Sequence, residues 1–118
     1  MARLRLTAQA QADIVDILDW TRQQFGDAAQ DRYEQLLSRV LEGLVEDPVR
    51  RGSASRLDLG QAIRVYHLRH SKGDIGVAHP RHLIVYQLEQ DDMVKVVLIL
   101  HDAMDLERHI QLDIVPKA

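Results

Sequence analysis

The residues with the most chemistry to offer sit where a strongly apolar run stops. Val96–Leu100 reads VVLIL, and His101, Asp102, Asp105, Arg108 and His109 follow it. An imidazole at the end of a buried strand can bridge core and water, because it has an apolar ring and two nitrogens. The adjoining carboxylate of Asp102 can orient that imidazole, and it repels a phosphate approaching the same strand end. Two readings of the segment stand side by side. Either Asp102 and Asp105 cap a turn across which Arg108 pairs, or the segment is a surface that acts on a target.

Three more sets carry side chains of interest. Arg64 lies two residues before Tyr66 in "AIRVYHLRH", on what alternation makes the polar face opposite Ile63 and Val65. There it can pair with an acidic helix residue or anchor a partner's carboxylate. "HLRH" (His67–His70) and "HPRH" (His79–His82, containing Arg81) give two His-x-x-His spacings. On strands, residues three apart point to opposite faces, so neither spacing is expected to hold a metal. No cofactor is expected. Trp20 falls at the margin of a helical apolar stripe, as core edge or as a partner anchor.

Charge is unevenly distributed. Residues 50–82 carry seven basic side chains against two acidic, with four of the six histidines. Residues 1–49 carry nine acidic against five basic, and residues 83–118 seven against three. A basic segment between acidic ones makes a local field within a chain of net charge −3, although solvated loop and strand faces account for it equally. The chain has no cysteine, which removes disulfides and thiol chemistry and suits a reducing compartment. Gln9, Gln11, Asp13 and Asp16 interrupt any signal-like apolar core at the start, and no run is long enough to span a membrane. A cytoplasmic location is expected.

The elements that must position these residues follow from periodicity. "ARLRL" alternates as a short strand, and Thr7 is placed to cap a helix running to Phe25. Ile14, Ile17, Leu18, Thr21 and Phe25 share a face of it. Gly26 ends that helix, and Asp27 with Gln30 opens the next, which carries Ala29, Tyr33, Leu36, Leu37, Val40 and Leu44 as a stripe until Pro48. So short a connection makes the helices an antiparallel hairpin. After a polar stretch, "AIRVYHLRH", "HLIVYQLE" and "MVKVVLIL" read as three strands, the last apolar enough to be central and covered by the helices. The expected fold is a single α+β domain over residues 1–118, in β-α-α-β-β-β order. It is an antiparallel sheet with the hairpin packed on one face and a short C-terminal helical turn over 105–110.

This order, with four local patterns, resembles the ParE/RelE superfamily of type II toxin–antitoxin systems, and the ParE branch most closely. "ADIVDILDW" is similar to that family's first helix and "YEQLLSRVLEGLVEDPVRRG" to its second. "IRVYHLRH" and "HLIVYQLE" look like its Arg-containing and His-led strands, and "VLILHDAMDLERHI" like its last strand and ending. The loop "SKGDIGVAHP" and the tail "QLDIVPKA" extend beyond the usual family core.

The resemblance implies a plasmid-stabilisation type toxin held inactive by a cognate, ParD-like or other DNA-binding antitoxin. A ParE-like toxin would inhibit DNA gyrase through protein–protein contact. A RelE-like one would be an enzyme, cleaving mRNA on the ribosome. That cleavage needs a base, an acid and cations for the developing phosphate charge. Arg64, Arg81 and His101 supply part of the set, but no tyrosine follows Tyr86 and Lys95 is the only lysine in the strand trio. Asp102 and the acidic balance oppose tight polyanion binding. The reading is therefore a gyrase-directed toxin without catalysis of its own or direct nucleic-acid binding. Trp20, Arg64, Tyr66, Arg81, His101, Asp102 and Arg108 are the expected contacts to target or antitoxin. The alternatives are the interferase and a non-toxic remnant that only binds antitoxin.

Overall fold

The computed structural model describes residues 3–77 and 79–103. Strand β1 (Arg3–Leu6) leads into helix α1 (Ala8–Phe25), and α2 (Asp27–Glu46) returns along it. Strands β2 (Ala54–Ser55), β3 (Ile63–His67), β4 (His82–Glu89) and β5 (Met93–His101) follow. The five strands form one sheet in the order β1-β5-β4-β3-β2. The α+β class and the covering hairpin are as expected, but the sheet is mixed. β1 pairs parallel with β5, from Arg3 opposite Met93 to Leu6 opposite Val96, while β2 to β5 run antiparallel. β1 and β5 are joined by the helices and three intervening strands and not by a tight turn, so nothing forces them to pair antiparallel. The polar connection before β3 holds β2 and a 3-10 turn at Leu57–Leu59. The expected C-terminal helical turn, and Arg108 with it, lie outside the described residues.

Local chemistry explains the element ends. Thr7 is extended (φ −67°, ψ 164°), and its hydroxyl oxygen accepts from the Ala10 amide at 3.0 Å. Such a cap contributes about 1 kcal/mol. Gly26 alone separates the helices; its φ of +94° lies in the left-handed region, and its amide donates to the Arg22 carbonyl. An L side chain there would be strained, so this glycine makes the reversal possible. The β4–β5 hairpin turns on Asp91 and Asp92, both at positive φ. Aspartate tolerates that region better than most residues.

The main core lies between hairpin and sheet. Leu36, Leu37, Val40 and Leu44 of α2 and Ala10 and Ile17 of α1 meet Tyr66, Ile84, Tyr86, Val94, Val96 and Ile99. Each fully buried aliphatic side chain contributes about 1.5–3 kcal/mol. The α2 stripe is buried as its spacing predicts, but the α1 stripe ends early. Thr21 is buried, satisfying its hydroxyl on the Ile17 carbonyl at 2.7 Å, whereas Phe25 is 68% exposed. Phe25 stands at the hairpin end, where none of the described elements covers it. On the opposite sheet face Leu59, Ile63, Val85, Leu98 and Leu100 form a second buried cluster.

An irregularity in β5 sets which side chains its C-terminal end turns toward the helices. The β4–β5 register slips between Val85, opposite Leu98, and Tyr86, opposite Val96, leaving Val97 as the extra residue of a bulge. Val94 and Val96 face the helices before the slip, Ile99 after it. Without the bulge, strict alternation would turn His101 to the other face. Two residues of the first helix region satisfy the disturbed ladder. The Thr7 hydroxyl donates to the Val97 carbonyl at 2.6 Å, and the Asp13 carboxylate accepts from the Ile99 amide at 3.0 Å. A buried amide without that acceptor costs about 1–3 kcal/mol.

Candidate functional site

The bulge brings His101 directly opposite His82, the first residue of β4. Their rings stand perpendicular with centroids 5.4 Å apart. Tyr33, on the inner face of α2, reaches the same point: its ring packs edgewise on His82 and its hydroxyl lies 2.6 Å from His82 Nδ1. That hydroxyl already accepts from the Arg81 amide at 3.4 Å. When it also donates to Nδ1, the proton of the neutral ring sits on Nε2.

The electrostatics follow from burial. Burial of the ring, with His101 beside it, pushes His82 down from 6.5 to about 4, so the imidazole is neutral near pH 7. Burial likewise raises Tyr33 to about 12, so it remains a hydroxyl donor. One residue on, Asp102 collects the available positive charge. It accepts from Arg81 Nε at 3.1 and 3.2 Å and from His67 Nε2 at 3.1 Å. Its slight burial opposes ionisation, but the hydrogen bonds from His67 and Arg81 prevail and hold its carboxyl below the usual carboxylate range. The Asp102 amide donates to the Arg81 carbonyl at 2.8 Å, so both ends of this exit are pinned together. His101 Nδ1 accepts from the Ala103 amide at 3.1 Å.

Above this cluster an open groove of about 690 Å³ runs between the hairpin end and the loop before β4. Its floor is Tyr33, His82 and His101, and Arg32, His79 and Arg81 stand around it. Its apolar wall is Trp20 and Phe25, edge to face at 5.8 Å between centroids. Trp20 is 52% exposed. It is not packed core edge: it follows Phe25 past the end of the covered stripe.

Arg64 goes elsewhere. It shares the helix-facing side of β3 with Tyr66, which is 1% exposed, so this is a core face and not a polar one. Arg64 lies opposite Tyr86, four residues along β4 from His82, roughly 13 Å away at about 3.3 Å per residue. Its Nε donates to Ser53 Oγ at 2.7 Å and its Nη2 to the Ser53 carbonyl at 3.3 Å. The Ser53 hydroxyl meets the Tyr86 hydroxyl, which donates to the Pro48 carbonyl. Tyr66 is likewise committed: its hydroxyl meets Ser71 Oγ at 2.6 Å, and Arg50 lies 5.6 Å over its ring.

Of the residues singled out from sequence, Trp20, Arg81, His101 and Asp102 thus gather at one sheet end, Arg64 sits toward the other, and Tyr66 lies between them, opposite Ile84. The two His-x-x-His pairs diverge. His67 turns to Asp102 while His70 packs on Tyr66, and His82 turns inward while His79 stays exposed. Sequence reasoning placed Tyr33 only in the core stripe. The signal was a phenol among aliphatic residues, because a buried hydroxyl requires a partner. Arg32, one residue before it, gave no signal.

Fold and site together define a small α+β protein that presents a groove at one end of its sheet. Residues 4–106 match the family model described as ParE toxin of type II toxin–antitoxin system, parDE. That span is most of the chain, and the protein belongs to this family of toxins. No curated protein sequence matches it. A toxin of such a system implies a cognate antitoxin. Among the described residues no helix is long and apolar enough to cross a membrane.

Proposed function

We propose that this toxin acts as an inhibitor of DNA gyrase through protein–protein contact, is neutralised by its cognate antitoxin, and serves plasmid stabilisation from the cytoplasm. The observation that carries the target reading is the allocation of charge at the groove. Asp102 takes up Arg81 and His67, His82 is held neutral, and Arg64 is spent on Ser53 at the far end. Stabilising a phosphoryl transition state needs several cations converging on one oxygen cluster. Here the Arg64, Arg81 and His101 set of an mRNA interferase is split between two sites. A groove with an aromatic wall and a few oriented donors suits a protein surface better than a polyanion.

The test is expression of the toxin without antitoxin, with gyrase supercoiling and transcript integrity followed together. The expected result is growth arrest with gyrase-dependent DNA breaks and intact bulk mRNA. Rapid cleavage within translated codons, with supercoiling unaffected, would overturn the reading in favour of the interferase.

A further inference from the structure

We infer that the groove over Tyr33, His82 and His101 is a recognition site for an acidic peptide segment of the antitoxin, one that sets a large apolar side chain beside a carboxylate. The inference rests on the proposed neutralisation by an antitoxin and adds where the segment docks and what chemistry selects it. Three observations carry it. The first is charge complementarity: in a chain of net charge −3, no aspartate or glutamate lines this groove among the described residues, whereas Arg32 and Arg81 do. Asp102, one residue beyond the groove floor, is turned onto Arg81 Nε and His67, and among the described residues no carboxylate engages the terminal nitrogens of Arg81. Arg32 is exposed and makes no ion pair among the described residues.

The second observation is the apolar wall. Trp20 and Phe25 are more than half exposed, meet edge to face, and line the groove together with the cations. Aromatic side chains flanked by arginine are the residue types that dominate protein recognition. The third is preorganisation. The Tyr33 hydroxyl holds the His82 ring at Nδ1, burial keeps it neutral near pH 7, and hydroxyl donation to Nδ1 makes Nε2–H a donor. Such a donor adds hydrogen bonding without adding charge. Two arginines and a neutral donor match one or two carboxylates; they are too few to hold a run of phosphates against physiological salt.

The experiment uses the whole toxin and synthetic peptides, free of tryptophan, that tile the protein encoded beside its gene. Trp20 is the only tryptophan in the chain, so its fluorescence reports the groove directly. Co-purification of toxin with that neighbouring protein runs in parallel. The expected result is that one acidic, apolar-bearing peptide shifts Trp20 emission. Arg32→Glu and Phe25→Ser should each weaken its binding about tenfold or more without moving the melting temperature. Changing the peptide's acidic residues to amides should give a similar loss.

A toxin–antitoxin complex that forms while Trp20 and both variants are indifferent would overturn the groove assignment and leave neutralisation standing. Failure of any complex to form would overturn neutralisation and the groove assignment with it. A single-stranded RNA oligonucleotide that shifts Trp20 at physiological salt, and loses affinity in Arg32→Glu, would assign the groove to nucleic acid instead.

Discussion

The two ends of the helix-facing side of the sheet use the same parts to opposite effect. At one end Tyr86 closes a relay from Arg64 through Ser53 to the Pro48 carbonyl. Every member finds its partner within the chain, and the relay ties the segment after α2 to the sheet. At the other end Tyr33 also bonds a polar neighbour, but His82 and His101 form the floor of an open groove, with exposed aromatics beside them. A tyrosine on the core face is thus no guide to function in itself. The distinction lies in whether the polar groups beyond its hydroxyl are consumed internally or left facing solvent. The closed end is satisfied within the chain, and the open end leaves His82, His101 and the aromatic pair lining a groove.

The largest expected difference between the ends is in pH dependence. His82 is depressed from 6.5 to about 4, with burial the leading cause. Between those values the unfolded chain binds the proton and the folded one does not. Stability is therefore full above about pH 6.5 and falls as the pH is lowered toward 4. At about 1.4 kcal/mol per pH unit of displacement, the loss is at most roughly 3 kcal/mol. His70, lowered by burial and by Arg69, adds a smaller loss of the same sign. Urea unfolding at pH 7 and pH 5 should show the loss in the parent, and His82→Phe should reduce it. An unchanged slope in His82→Phe would mean that the open end does not hold its imidazole neutral.

Arg64→Ala tests the closed end. The substitution removes two charge-assisted hydrogen bonds to Ser53, and such bonds contribute about 1.5–3 kcal/mol each at most. A drop of roughly 2–3 kcal/mol in unfolding free energy is expected, measured by chemical denaturation. At a temperature where the variant is fully folded, growth arrest and antitoxin affinity should match the parent. A stable variant with lost toxicity would instead make Arg64 a contact residue and the two ends alike in role.

How far the sequence revealed this arrangement depended on which force placed each residue. Leu36, Leu37, Val40 and Leu44 were legible because burial alone orders them at helical spacing. The strands of the trio were legible for the same reason. Phe25 was misplaced because the stripe continues in sequence past the point where the sheet still lies beneath it. Arg64 was assigned to a polar face because alternation reveals two faces without saying which one the helices cover. His101 was read as a strand exit, but its meeting with His82 depended on the Val97 bulge. In "VKVVLIL" every residue near the bulge is apolar, so the slip leaves no mark in the hydrophobic pattern. The clues lay far away, in Thr7 and Asp13, whose side chains satisfy the bulged strand.

The smallest expected difference comes from a matched pair of substitutions that remove the same atom at each end. Tyr86→Phe deletes the donor to the Pro48 carbonyl and the partner of the Ser53 hydroxyl. Tyr86 is fully buried, so water does not readily take the place of its hydroxyl, and the expected cost is about 1–3 kcal/mol. Tyr33→Phe deletes the donor to His82 Nδ1 and the acceptor of the Arg81 amide. Here the groove admits water to the same atoms, and a water can restore most of what is lost. The expected cost is about 0.5–1 kcal/mol, an ordinary net hydrogen bond. Thermal and urea unfolding of the two variants side by side measure the gap. Equal losses would mean that the Tyr33 hydroxyl is as sealed from solvent as that of Tyr86. The groove floor would then be part of the core, and His82 could not serve an incoming partner without the hairpin end moving away.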